Sequence, residues 1–222
     1  MDGQELVDAV REGRATQLDR LGSDKYLIAA TGADLEPAPV LRTLAETAAS
    51  GRETFEPWAA DATETAHRSV ADAFEEVAAR ERDHFDRVVD SLAALPDDSA
   101  DASASIDASA DPMHATLAAQ DGTVARVAAG FVGRPLVADR TRLQVVNFFV
   151  NEADATRADL ARDLRADAQS RLDEATALLD TVCGSERDWD RARAAAESVV
   201  GTAYEDYAET LESMGVDPKP VC

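Results

Sequence analysis

Apolar residues along the chain recur at helical spacing in one segment after another, and in one of them the pattern is broken by a charge. On a helix of 3.6 residues per turn, Val70, Phe74, Val77, Phe85, Val88 and Leu92 share a stripe, and Glu81 stands in the middle of that stripe instead of on the wet face. His84, three positions on, lies on its flank, so both side chains can aim at one point across a bundle.

Before this segment, Gln4–Glu12 and Thr16–Ala30 read as short helices, parted by Gly13, with Gly22 interrupting the second and Gly32 ending it. They are expected to form an N-terminal brace, residues 1–36. Pro37 and Pro39 open a helix from Val40 to about Ala60 with Leu41, Leu44, Ala48, Phe55 and Trp58 on one face, and Pro57 marks a kink or its last turn. Glu46 and Glu53 lie on its other side, facing the interior if the helix is buried on two sides and water if on one. The helical pair spans 37–95.

Pro96–Pro112 is rich in Asp, Ser and Ala and poor in bulky residues, which predicts an acidic disordered linker over 96–112. His67 and His114, on either side of these elements, read as surface histidines. A second helical pair over 113–183 starts near Leu117, with a kink expected at Gly130, Gly133 and Pro135. Ala128, Val132, Leu143, Val146 and Val150 then make a stripe with Asp139 at its centre. The next helix, Ala155–Val182, carries Leu160, Leu164, Ala175, Leu178 and Val182, with Arg171 in the middle and Glu174 on the flank. A last helix, Trp189–Met214 within 184–222, is expected on the outside of the bundle or at a dimer contact.

Charge narrows the possible roles. Asp and Glu outnumber Lys and Arg by 44 to 22, for a net charge of −22. Such a coat suits a salt-accumulating, halophilic cytoplasm, since at ~1 M salt the screening length falls to about 3 Å. The balance argues against a direct nucleic-acid partner. No stretch approaches a membrane span, and the acidic start lacks a signal peptide's basic end, so a cytoplasmic location is expected. Cys183 and Cys222 are too few for a disulfide scaffold and read as free thiols, a Cys183–Cys222 contact being the alternative.

The run Phe74-Glu75-Glu76-Val77-Ala78-Ala79-Arg80-Glu81-Arg82-Asp83-His84 resembles the second bundle helix of rubrerythrins, and Glu46 precedes Arg52, Thr54 and Phe55 much as that family's first-helix glutamate precedes its own arginine and aromatics. The resemblance implies an all-α, ferritin-like four-helix bundle with N-terminal and C-terminal helical additions. It also implies that Glu46, Glu81 and His84 correspond to one side of a di-iron centre. The other side departs from the family: a glutamate is expected near Asp139 and a second Glu-x-x-His where Arg171-Leu172-Asp173-Glu174 stands, and no histidine follows His114. The paired cysteines of a rubredoxin-like module are missing too.

These departures lead to two expectations. In the first, Arg171 replaces the metal, its guanidinium neutralising Glu46, Glu81 or Asp139, and no cofactor is bound. The protein is then non-catalytic, with an interaction or regulatory role. The resemblance to haloarchaeal rubrerythrin-like proteins implies a link to transcription through a protein partner. In the second, Glu46, Glu81 and His84, joined by Glu174 or Asp139, hold a single iron or manganese and the protein is an oxidoreductase or handles iron. Broad apolar faces on the first and last long helices suggest a homodimer.

Overall fold

The computed structural model describes residues 1–63, 68–96, 106 and 111–219, and among these the regular elements are all helical. Helix α1 spans Gly3–Gly13, α2 Ala15–Leu21 and α3 Lys25–Ala30; the long α4 covers Pro37–Thr63 and α5 Arg68–Ala93. Next come α6, Pro112–Ala118, and α7, Thr123–Ala128. A π-helical turn over Ala129–Gly133 then leads into α8, Arg134–Asn151, followed by α9, Ala155–Val182, and α10, Glu186–Ser213.

Local sequence explains several helix starts. Asp2 accepts from the Glu5 amide while the Glu5 carboxylate takes the Asp2 amide, a reciprocal cap on α1. Asp111, Asp154 and Ser185 cap α6, α9 and α10 in the same way, each accepting from a backbone amide in the first turn. Pro57 lies inside α4, which continues for another turn beyond it.

Helices α4 and α5 run antiparallel: Trp58 meets Phe74 at a ring separation of 5.4 Å, and two turns back along α4 Gly51 faces Glu81, two turns on along α5. Helices α8 and α9 form a second antiparallel pair, with Arg165 on Asp139 and Arg142 on the Leu164 carbonyl. The apolar interior has two parts. One gathers Phe55, Trp58, Phe74, Val77, Phe131 and Val132 with the inner faces of α1, α2 and α10. The other holds Leu41, Leu44, Val88, Leu92, Val145, Phe149, Ala161 and Leu164. Between them, α4, α5, α8 and α9 carry polar groups: Ser50 and Thr54 on α4, Glu81 and His84 on α5, Thr141, Arg142 and Gln144 on α8, and Asp167 and Arg171 on α9.

The π turn changes what α8 presents. It closes i to i+5 and so interrupts the 3.6-residue repeat, and a stripe cannot be carried across it at constant spacing. Ala128 and Val132, upstream or within the turn, are buried as their spacing predicts. Downstream, the buried positions are Ala138, Arg142, Val145 and Phe149, close to one residue before the expected Asp139, Leu143, Val146 and Val150. Of the expected set Val146 is buried, Leu143 is half-buried, and Val150 is 50% exposed. Asp139 therefore does not occupy an apolar face. Gly133 ends the turn where α8 passes closest to α10: a Cβ there would lie 2.7 Å from the Ala196 carbonyl oxygen and 2.9 Å from the Val199 Cβ.

Other expectations change as well. Helix α10 is no outer addition, because Ala192, Ala196, Val199, Val200, Ala203 and Leu211 are fully or nearly fully buried against the π turn and helices α6 and α7. A stripe of small residues lets it close the core. The faces that suggested self-association on α4 and α10 are thus covered within the chain, and the exposed large apolar residues, Met1, Leu35, Val150 and Met214, are scattered in sequence. The second half starts earlier than Leu117, at the Asp111 cap. Most of the expected linker, together with His67 and Cys222, lies outside the described residues. Cys183 is a buried free thiol whose pKa burial pushes up to about 11, which leaves it a poor nucleophile. Among the described residues, no helix is long and apolar enough to cross a membrane.

Candidate functional site

Glu81 is fully buried at the centre of the polar layer. Its Oε1 accepts from Arg171 Nη1 at 2.7 Å and from Arg134 Nη1 at 2.9 Å. The carboxylate expected on the α5 stripe is therefore met by two guanidinium groups, one from the expected residue on α9 and one from the first residue of α8. Arg134 extends further. Its Nη2 donates to the Thr47 carbonyl of α4 at 3.3 Å, its Nε to His114 Nε2 at 3.3 Å, and its Cζ lies 5.8 Å from the Phe55 ring centre.

His114 is buried, contrary to the surface position expected for it. A guanidinium can only donate, so His114 Nε2 accepts from Arg134, and the proton on Nδ1 is donated to Asp111 Oδ2 at 2.7 Å. Asp111 also caps α6, so one carboxylate both starts the helix and orients the imidazole. At the other end, His84 Nε2 lies 2.7 Å from Asp167 Oδ2, and Asp167 Oδ1 accepts from Arg80 at 2.9 Å. His84 Nδ1 is 3.8 Å from Glu81 Oε2, with no hydrogen bond at either atom among the described residues; Arg171 Nε and Nη2 likewise have none. A polar row thus crosses the protein from Asp111 through His114, Arg134, Glu81 and His84 to Asp167.

Gly51 makes room for it. A Cβ at that position of α4 would stand 2.5 Å from Arg134 Nη2 and 3.0 Å from Glu81 Cγ, so any larger residue would push the guanidinium off its carboxylate.

The other candidate ligands do not join this centre. Asp139 accepts from Arg165 Nε at 2.9 Å and Gln169 Nε2 at 2.8 Å, on the outer side of the α8–α9 pair. Glu174 is exposed. Glu46 is half-buried and lines a neighbouring cavity, while Glu53 is exposed, so the two-sided burial that would have turned both inward does not hold. Among the described residues, no three His, Cys, Asp or Glu side chains converge as metal ligands would. Of the expected single-metal ligands Glu46, Glu81, His84, Asp139 and Glu174, Glu81 and His84 lie side by side, Glu81 is held by two guanidinium groups, and Asp139 and Glu174 lie elsewhere.

Among the residues of the layer that escaped the sequence reading are Arg134, Arg142 and Asp167. Arg142 is buried, donates to the Leu164 carbonyl, and has its pKa lowered to about 10, by burial and by Arg134 and Arg171, with Glu81 opposing. It remains charged at neutral pH. On the expected stripe it falls on the flank, three residues after Asp139. Asp167, on α9 between Leu164 and Arg171, was legible in principle as an acidic residue one turn from Arg171.

The site's carboxylates share one electrostatic signature. Burial alone would push the Glu81 carboxyl up, but Arg134 and Arg171, with the His84 contact, hold it well below its ordinary 4.5. Asp167 and Asp111 are opposed by burial too, and their histidine partners pull both below 3.8. A group with a lowered folded pKa adds stability that is present above its unfolded value and is lost as pH falls through the folded one. In molar salt, thermal stability should therefore hold from pH 7 to about 5 and drop steeply below about 4. Melting curves across this range check it. A decline beginning between pH 6 and 7 would show that these carboxylates do not set the dependence.

Fold and site together define an all-helical protein whose two apolar cores are separated by a buried arginine–glutamate layer. Comparisons with family models, with curated proteins and with solved structures find no match for the chain.

Proposed function

We propose that the chain is a ferritin-like helical bundle in which fixed guanidinium groups neutralise the central carboxylate that iron neutralises in rubrerythrins, and that it acts as a non-catalytic interaction or regulatory protein in a halophilic cytoplasm. The observation that carries this reading is Glu81 Oε1, which accepts from Arg134 and Arg171 at 2.9 and 2.7 Å where α4, α5, α8 and α9 meet. Two cations at that oxygen oppose a third. Cys183 is held protonated and the central carboxylate is committed to ion pairs, so neither is set up as an activated nucleophile. The acidic surface favours a protein partner over nucleic acid, and a role in transcription would run through such a partner.

A second reading has one observation in its favour: Glu81 Oε2 and His84 Nδ1 stand 3.8 Å apart without hydrogen bonds among the described residues. They would be the two donors for a single iron or manganese, the basis of an oxidoreductase or iron-handling role. Metal analysis separates the readings. Protein purified without chelators in molar salt is expected to carry iron, manganese and zinc well below stoichiometry and to leave peroxide unconsumed. One equivalent of metal with peroxide turnover would overturn the first reading.

A further inference from the structure

A cavity of about 250 Å³ opens beside the polar layer, between α3, α4, α8 and α10. Its walls combine groups that an empty fold has no reason to place together. Arg142 lines it and is only 3% exposed; its Nη1 donates to a backbone carbonyl, its Nε has no partner, and among the described residues no carboxylate lies within ion-pairing distance of it. The other two buried arginines both pair with Glu81. A buried guanidinium without its own anion is costly to hold, and a ligand carboxylate can supply one through the planar fork.

Acidic groups surround the same space. Glu46, Asp111 and Asp206 line it, in a chain of net charge −22, so a plain anion would meet repulsion on its way in. Asp206 lies on the exposed side and makes no ion pair among the described residues; burial and the charges of Asp111 and Glu209 push its carboxyl up, as expected where an added positive charge is welcome. Leu44, Val137 and Val145 supply an apolar wall. The Tyr26 hydroxyl, its pKa pushed up to about 12 by burial and by Asp111, stays protonated and can donate.

We propose that this cavity binds a small zwitterion of the α-amino acid type, with its carboxylate on Arg142, its ammonium towards Asp206 and its side chain against Leu44, Val137 and Val145. The volume admits a ligand smaller than the usual drug-sized occupant of a pocket. Such a site would give the protein a small-molecule effector. It stands on the cavity and not on the role of Glu81, so a metal at Glu81 would overturn that role and leave this site in place.

Titration of the full chain in molar potassium chloride, followed by protein NMR, tests the site with L-leucine and L-valine as probes. Two single-charge analogues of leucine accompany them: 4-methylpentanoate, which lacks the ammonium, and 3-methylbutylamine, which lacks the carboxylate. At least one amino acid should bind saturably at one site, and each analogue should bind about ten-fold more weakly or worse than leucine. Arg142→Gln and Asp206→Asn should each weaken binding by about ten-fold or more. Asp206 is exposed, so its variant keeps the mutational arm usable even where Arg142→Gln fails to fold. No saturation by either amino acid up to ~10 mM would overturn the proposal. Equal binding of 4-methylpentanoate, which would make this a simple anion site, or unchanged binding by Asp206→Asn, would also overturn it.

Discussion

Replacing Glu81 by leucine is expected to cost about 3–5 kcal/mol of folding stability, because it strands Arg134 and Arg171 in the interior without their shared anion. Arg142, which leans on the same carboxylate electrostatically, would lose support too. The pair geometry alone does not imply that the layer is a net source of stability. Desolvating the three groups offsets much of their attraction, and replacing a whole buried ion cluster by apolar residues is often neutral or stabilising. The triple variant Glu81→Leu, Arg134→Met, Arg171→Met should therefore recover most of what the single one loses. Urea unfolding in molar salt measures both. A Glu81→Leu protein as stable as the parent would remove the ion layer from the account of this fold.

The two arginines should also differ from each other. Arg134→Leu is expected to cost about 3 kcal/mol and Arg171→Leu roughly half as much, since in either variant the remaining guanidinium still neutralises Glu81. Arg134 bonds to Glu81, His114 and the Thr47 carbonyl, and its loss leaves His114 Nε2 unpartnered in the interior. Arg171 makes its single hydrogen bond to Glu81, with Nε and Nη2 unpartnered among the described residues. Both variants are compared by urea midpoint under the same salt. The reverse order would place the anchor of the layer on α9 instead of at the head of α8.

This ranking differs from what the sequence suggested, where Arg171 stood as the sole replacement for metal. Arg171 was visible because α9 is a regular helix, and a charge in the middle of its apolar stripe must face the same neighbours as the stripe. Glu81 was visible for the same reason on α5. Arg134 sits where the π turn hands over to α8, and constant spacing drawn across that turn does not put it on the inner face. His114 was misread because one histidine next to an acidic linker has no periodic context. Its burial follows from α10 packing over α6, a contact between segments far apart in the chain.

What the chain's own order of residues determined is local: the α-helical class, the long helices and their main apolar faces, the caps that start several of them, and a buried carboxylate with a facing arginine. These follow from hydrogen bonding and side-chain periodicity within a few turns. Tertiary structure alone decided which charges meet, that α10 closes the core, and that Asp139 and Glu174 stay apart from Glu81. The reason is geometric. A turn of different pitch breaks the register of everything after it, and whether a charge is buried depends on which distant face arrives to cover it.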